Sequence, residues 1–247
     1  MRRFKITVGY DGTHYCGWQV QPRHDTVQGA LEAVLFHLSG EQVKVHGSGR
    51  TDQGVHARGQ VAHFDLEKPF TTTALRRSMN ALLSTDIRVM RVEIAPARFH
   101  ARKGAKGKEY RYFIWNHTII QPTERLYCLH VPEPLDVDAM KTAASVLEGV
   151  HDFAAFTSGR KRYVNGPTIR SLFELKVRKH GKRIVIVVRG GGFLYKMVRS
   201  ITGWLLRVGK GEADAAETQE ILESLVRTAR VPTAPSEGLF LWKVHYH

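Results

Sequence analysis

One hydrophobic pattern, run through twice, limits what this chain can fold into more than any other feature. Residues 4 to 9, FKITVG, alternate as a strand does. Asp25 opens a helical stretch with Gln28 at capping-box spacing, Leu31, Val34 and Leu35 make its apolar stripe, and Gly40 ends it. Residues 42 to 46 and 60 to 66 read as strands. Residues 72 to 83 are helical by the spacing of Leu75, Met79, Leu82 and Leu83, and residues 87 to 94, IRVMRVEI, alternate again. The order β-α-β-β-α-β is that of the split βαβ, or ferredoxin-like, unit.

The second half repeats that order. Residues 109 to 115 form a strand, and 137 to 147 a helix stopped by Gly149. Strands at 168 to 178 and 183 to 189 are joined by the turn Lys179-His180-Gly181-Lys182. A helix over 193 to 208 is followed by another over 213 to 225, and a strand covers 239 to 245. The halves share a pattern and not a sequence. The expected fold class is therefore α+β, with two ferredoxin-like halves, residues 1–105 and 106–247. They form a mainly antiparallel sheet with flanking helices and a central cleft. Residues 97 to 108, ARFHARKGAKGK, are a basic segment between the halves, and residues 116 to 135 carry three prolines and read as a connection.

Charge narrows the partner. The chain holds 37 Lys and Arg against 23 Asp and Glu, a formal net charge of +14. Such an excess repels itself unless an anion offsets it, which favours nucleic acid over a basic but uninvolved enzyme. Cys16 and Cys128 are too few and too distant for a disulfide framework, so a cytoplasmic location is expected. The basic start has no apolar stretch of signal-peptide length, and the run from Ile184 to Val188 is too short to span a bilayer, so no membrane partner is expected.

Three stretches carry candidate chemistry. The first is GSGRTDQGVHA, residues 47 to 57. Gly47 and Gly49 lack the third glycine and the helix of a dinucleotide fingerprint, and no Gly-Lys-Ser/Thr closes a P-loop. His46, His56 and His63 have no Cys or acidic cluster at ligand spacing, so no metal is expected. What remains is Asp52 between Arg50 and Arg58. A carboxylate can serve as nucleophile or base, and a nearby guanidinium keeps it ionised. Judged alone, the loop reads equally as a turn in which Asp52 bonds nearby backbone and Arg50 is solvated.

The second stretch is GGGFLYKMVRSITGWLLRVG, residues 190 to 209. Phe193, Leu194, Met197, Val198, Ile201, Trp204 and Leu205 fall on one side at helical period and read as core, while Tyr195, Lys196 and Arg199 lie off it. Alone, Arg199 reads as a solvated cation. The glycines would let a phosphate approach the positive end of the helix. The third stretch is KGKEYRYFIW, residues 106 to 115. Alternation puts Tyr110 and Tyr112 on one face and Arg111 and Phe113 on the other. Aromatics beside Lys106, Lys108 and Arg111 suit stacking on unpaired bases, though a half-buried strand tyrosine is common.

Together these stretches, with YDGTHYCGWQVQP near the start, RFHARKGAKGKEYRY in the middle and the late APSEGLFL, resemble the TruA-type tRNA pseudouridine synthases over nearly the whole chain. The resemblance implies a two-lobed antiparallel sheet, a homodimer, and isomerisation of uridine to pseudouridine at positions 38 to 40 of the tRNA anticodon arm without metal or organic cofactor. It makes Asp52 the nucleophile, and gives Arg50 the task of holding the base out of the stack. Tyr110 would stack on that base, Arg199 would pair with Asp52, and Leu239 would add apolar packing. A non-catalytic RNA-binding module shares the split βαβ plan, and Arg58-Gly59 fits the start of its signature. Gln60 and Val61 then stand where aromatics belong, and only Phe64 fits. A metal-assisted nuclease needs clustered carboxylates that the chain lacks.

Overall fold

The computed structural model describes residues 1–158 and 168–246. They form ten β-strands and five α-helices, an α+β fold in which most strand pairs are antiparallel. The chain divides into two compact units: Met1–Lys106 together with the chain from Phe240 onward, and Gly107–Leu239.

The first unit contains β1 (Arg2–Tyr10), α1 (Val27–Ser39), β2 (His46–Gly47), β3 (His56–Leu66), α2 (Thr72–Leu82) and β4 (Ile87–Ile94), and nearly all of β10 (Leu239–His245). β1 lies between β4 and β3, antiparallel to both, with Phe4 opposite Ile94 on one side and Phe64 on the other. On the far edge of β3, β2 pairs antiparallel at His63 and Ala62, and β10 pairs parallel at His56 and Ala57. The order β4-β1-β3-β2 is that of the split βαβ unit. Alternation buries Phe4, Ile6, Val8 and Tyr10 on one face of β1, and Phe4 stacks on Phe64 with ring centroids 5.9 Å apart. Leu75 and Met79 of α2 and Leu31 and Leu35 of α1 are fully buried.

The second unit contains β5 (Gly107–Trp115), β6 (Leu129–His130), α3 (Val137–Val146), β7 (Gly149–Asp152), β8 (Ile169–His180), β9 (Arg183–Gly190), α4 (Met197–Gly209) and α5 (Glu217–Ser224). Its sheet runs β6-β5-β9-β8-β7. Tyr112, Ile114, Ile184, Ile186 and Val188 are buried along β5 and β9. Helix α3 lies against α4 and β8. Trp204 of α4 is fully buried, and its indole N–H donates to the Thr218 hydroxyl at 3.0 Å.

Several element ends differ from the sequence expectation, each for a local reason. The N-cap of α1 is Thr26, in extended conformation, with its hydroxyl accepting the Gly29 N–H. Gln28 is no capping-box partner, since its side chain accepts from Val20 N–H and donates to Glu32. The strand expected at 42 to 46 shrinks to β2, while β3 begins four residues earlier than expected, at His56. α4 begins at Met197, because Lys196 adopts φ 57 and a left-handed residue ends a helix on either side. Leu194 is buried without being helical. α5 is shortened by a turn at Asp214, which takes the Ala216 N–H, and by Leu225 at φ 53.

Three histidines gather in the first unit. His63 of β3 stacks on His46 of β2 with centroids 5.0 Å apart, and His100 closes over it at 4.7 Å. Its Nδ1 accepts the Ala101 N–H at 3.2 Å, as a neutral imidazole does. Burial pushes the His63 pKa down to about 4, helped by His100, His46 and Arg3 and opposed by Asp65. The unfolded chain takes up this proton below its ordinary pKa of 6.5 and the folded chain does not. The stability this group contributes is therefore complete above that pH and lost as pH falls toward the folded value.

Two stability outcomes are expected. Thr26→Ala costs about 1 kcal/mol in urea unfolding, while Asp25→Ala stays within about 0.5 kcal/mol; equal losses would return the cap to Asp25. His63→Gln flattens the fall in urea midpoint between pH 6.5 and pH 4 relative to the parent chain. A variant whose midpoint tracks the parent across that window removes His63 as the source.

Candidate active site

Asp52 lies in the loop of residues 48 to 55 that joins β2 to β3, and every turn of that loop has a backbone anchor. At its start, Gln60, fully buried within β3, accepts from the Ser48 hydroxyl at 2.7 Å and donates to the Gly49 carbonyl at 2.9 Å. Next, the Thr51 carbonyl accepts the Trp18 N–H at 3.2 Å, and its hydroxyl shares a 2.9 Å hydrogen bond with the Tyr10 phenol. Burial holds that phenol far above its ordinary range, so it stays protonated. The Asp52 carbonyl then accepts Val55 N–H at 3.2 Å, and Gly54, at φ 74, donates its N–H to Tyr15. Asp52, half-buried, thus sits between fixed points at Thr51 and Gly54.

The surface these anchors use is the segment of residues 11 to 26, most of which sequence reading tied to the site only within the family resemblance. Glycine permits the contact. Gly17 has φ 87, and a Cβ there would fall on the Thr51 carbonyl oxygen. At Gly47 a Cβ would stand 2.6 Å from the buried Trp18 indole. The signal available in the sequence was the glycines in both stretches, which mark close backbone approach. Arg50 is exposed, and its Nε donates to Gln19 of the same segment at 3.1 Å. At the loop's end the His56 Nδ1 accepts the Gly12 N–H at 3.0 Å, and Phe240 stacks on the imidazole at 4.5 Å.

In the second unit, Tyr110 of β5 pairs across the sheet with Val188 and is buried, its ring edge-on to Phe193 at 5.0 Å. Two residues on, the Tyr112 hydroxyl donates to the Pro235 carbonyl at 2.9 Å. Arg111, on the other face, forms an ion pair with Glu109 at 2.7 Å. Arg199 is the third residue of α4. It is half-buried: its Nε donates to the Ala234 carbonyl at 2.7 Å, and its own carbonyl accepts the Ala234 N–H at 3.0 Å. This replaces the solvated cation that its sequence position alone suggests. Leu239 is 5% exposed and follows a turn in which its N–H reaches the Ser236 carbonyl at 2.9 Å.

A strap of residues 226 to 238, between α5 and β10, therefore ties the strand of Tyr110 to the helix of Arg199. It bonds Tyr112 through Pro235 and Arg199 through Ala234, and it crosses α4 at Gly203, where a Cβ would collide with the Pro232 carbonyl. The glycine run at 190 to 192 does not supply free amides to the start of α4. Gly190 ends β9, the Gly191 N–H donates to the Ser171 carbonyl at 3.1 Å, and α4 begins only at Met197. Within the first unit, then, Arg50 and Asp52 share one anchored loop. Within the second, Tyr110, Arg199 and Leu239 are joined by the strap and its ends.

Comparisons with known proteins converge. A family model described as tRNA pseudouridine synthase matches residues 6–102 and 143–247. The chain is 46% identical over 246 residues to the tRNA pseudouridine synthase A of Brevibacillus brevis, covering all of both chains. It is 44% identical over 246 residues to that of Geotalea uraniireducens, again covering all of both. To that of Oceanobacillus iheyensis it is 41% identical over 247 residues, covering 100% of this chain and 97% of the other.

The contact at Gly17 gives a measurable outcome. Gly17→Ala is expected to cost about 2–3 kcal/mol in denaturant unfolding, from a strained φ and a displaced Thr51. Gly211→Ala, at φ 72 with nothing within 4 Å, costs about 1 kcal/mol from φ alone. Equal costs at the two positions would mean that the segment and the loop are not in the close contact described.

Proposed function

The chain belongs to the tRNA pseudouridine synthase family, and from that premise we propose that it isomerises uridine at positions 38 to 40 of the tRNA anticodon arm, with Asp52 as nucleophile and the target base extruded. At the coarser level it is an isomerase that acts on tRNA. The observation that carries the finer reading is the anchoring of the Asp52 loop. A nucleophile must be held to within a fraction of an ångström of its target, and a half-buried carboxylate between two backbone anchors meets that need.

The chemistry suits one carboxylate. The N-glycosidic bond from uracil N1 to C1′ breaks, the ring turns, and a bond from C5 to C1′ forms, with the C5 proton leaving and N1 taking up a proton. Asp52 bonds transiently to C1′ of the ribose or to C6 of the ring, and both routes end in the same product. The base must first leave the stack, at a cost of a few kcal/mol. Contacts from a chain of net charge +14 offset that cost along the phosphates. In this reading Tyr110 stacks on the extruded base and is the candidate to take the C5 proton. Arg199 is the cation that keeps the carboxylate ionised, Arg50 holds the base out of the stack, and Leu239 packs against it. Water is unwanted, since it would release the base by hydrolysis. The reading extends to a homodimer working in the cytoplasm.

The test uses tRNA carrying tritium at C5 of uridine. Asp52→Asn keeps tRNA affinity within about threefold and loses roughly a thousandfold or more in tritium release. An Asn variant that releases tritium at the parent rate removes Asp52 as nucleophile. A tRNA with cytidine at positions 38 to 40 should release none, and continued release would overturn the assigned positions.

A further inference from the structure

Arg227 stands at the start of the strap and is held by hydroxyls in place of a carboxylate. Its Nη1 donates to the Ser200 hydroxyl at 2.6 Å and its Nη2 to the Thr233 hydroxyl at 2.8 Å. A half-buried guanidinium gives up hydration, and two neutral hydroxyls return little Coulombic energy. Burial accordingly pulls its pKa below the usual arginine range. What the arrangement supplies is geometry, because the planar fork fixes both acceptors at once.

Those acceptors are not scattered. Ser200 and Thr233 are the chain neighbours of Arg199 and Ala234, which are themselves joined through both the Arg199 side chain and its backbone carbonyl. The Ser200 hydroxyl is fully buried, and while accepting from Arg227 it donates to the Lys196 carbonyl at 3.0 Å. Lys196 is the left-handed residue that opens α4. One guanidinium thus grips the first turn of α4 and the strap on either side of the Arg199–Ala234 contact. We propose that Arg227 is a positioning residue for Arg199: by clamping Ser200 to Thr233 it fixes the seam that sets where the Arg199 guanidinium points. The inference rests on the reading above that Arg199 acts on the reaction.

The experiment measures tritium release and unfolding with the full chain and tRNA. Arg227→Lys keeps the charge but cannot span both hydroxyls. It should lower kcat about tenfold while KM for tRNA stays within about twofold. Ser200→Ala and Thr233→Val each remove one acceptor with little change of volume. Both should lower kcat in the same direction, and adding either to Arg227→Lys should lower it no further. A raised KM with a flattened salt dependence and unchanged kcat would make Arg227 a phosphate contact and overturn the proposal. A lowered unfolding midpoint with unchanged kcat per folded molecule would overturn it as well. Arg199→Met, run in parallel, separates the two failures. If that variant turns over normally, the reading of Arg199 falls and the proposal with it. If it is impaired while Arg227→Lys is normal, only the proposal falls.

Discussion

Peptide groups in a loop have no ladder to satisfy them, and buried ones must find partners or cost several kcal/mol between them. Both segments of the proposed site, the Asp52 loop and the strap, are built under that constraint. The Asp52 loop meets it by laying its backbone against residues 11 to 26, with Trp18 N–H on Thr51 and Gly54 N–H on Tyr15. The strap meets it by giving Ala234 to Arg199 and Pro235 to Tyr112. Close approach is the condition in both places, and glycine the means: Gly17 and Gly47 in one unit, Gly203 in the other. The side chains proposed to carry the chemistry sit on segments held by contacts that involve no chemistry at all.

The sequence disclosed the parts of the fold that depend on periodicity. Strand β4 and strand β10 fall where alternation put them, and the apolar spacing of α2 runs within a residue of its observed end. It disclosed less where one residue's backbone decides. Lys196 at φ 57 removes a turn from the start of α4, and nothing about a lysine announces a left-handed conformation. The cap of α1 fell to Thr26 over its neighbour Asp25, since both residue types cap well and only the chain's entry angle chooses. Of the site, the GRTD motif pointed to the loop, and helical spacing placed Arg199 away from the core stripe. The strap was invisible, because the hydrogen bond from the Tyr112 hydroxyl to Pro235 joins residues far apart in the chain and its acceptor is a backbone carbonyl, a group every residue possesses.

Net charge guided the partner but could not select the site. Many cations are occupied inside their own unit. Arg3 pairs with Asp65, Arg111 with Glu109, and Arg230 with Glu217 and Glu220. Such pairs add little to stability where solvent screens them, as between Arg230 and Glu220. They do hold long side chains close to the surface and remove them from the pool available to an anion. Arg227, with two hydroxyls for partners, differs in kind from these, and only coordinates reveal the difference.

The parallel pairing of β10 with β3 at His56 and Ala57 carries a consequence for how the molecule is made. A ribosome delivers the first unit's other strands early, yet the edge of β3 beside the Asp52 loop stays open until Phe240 and Leu241 emerge. Phe240 reaches His56 only after the whole second unit has been synthesised. The nascent chain therefore carries an unfinished sheet edge while the second unit is being made, the kind of edge that invites pairing with other chains. The surroundings of Asp52 are completed only after the second unit has been made.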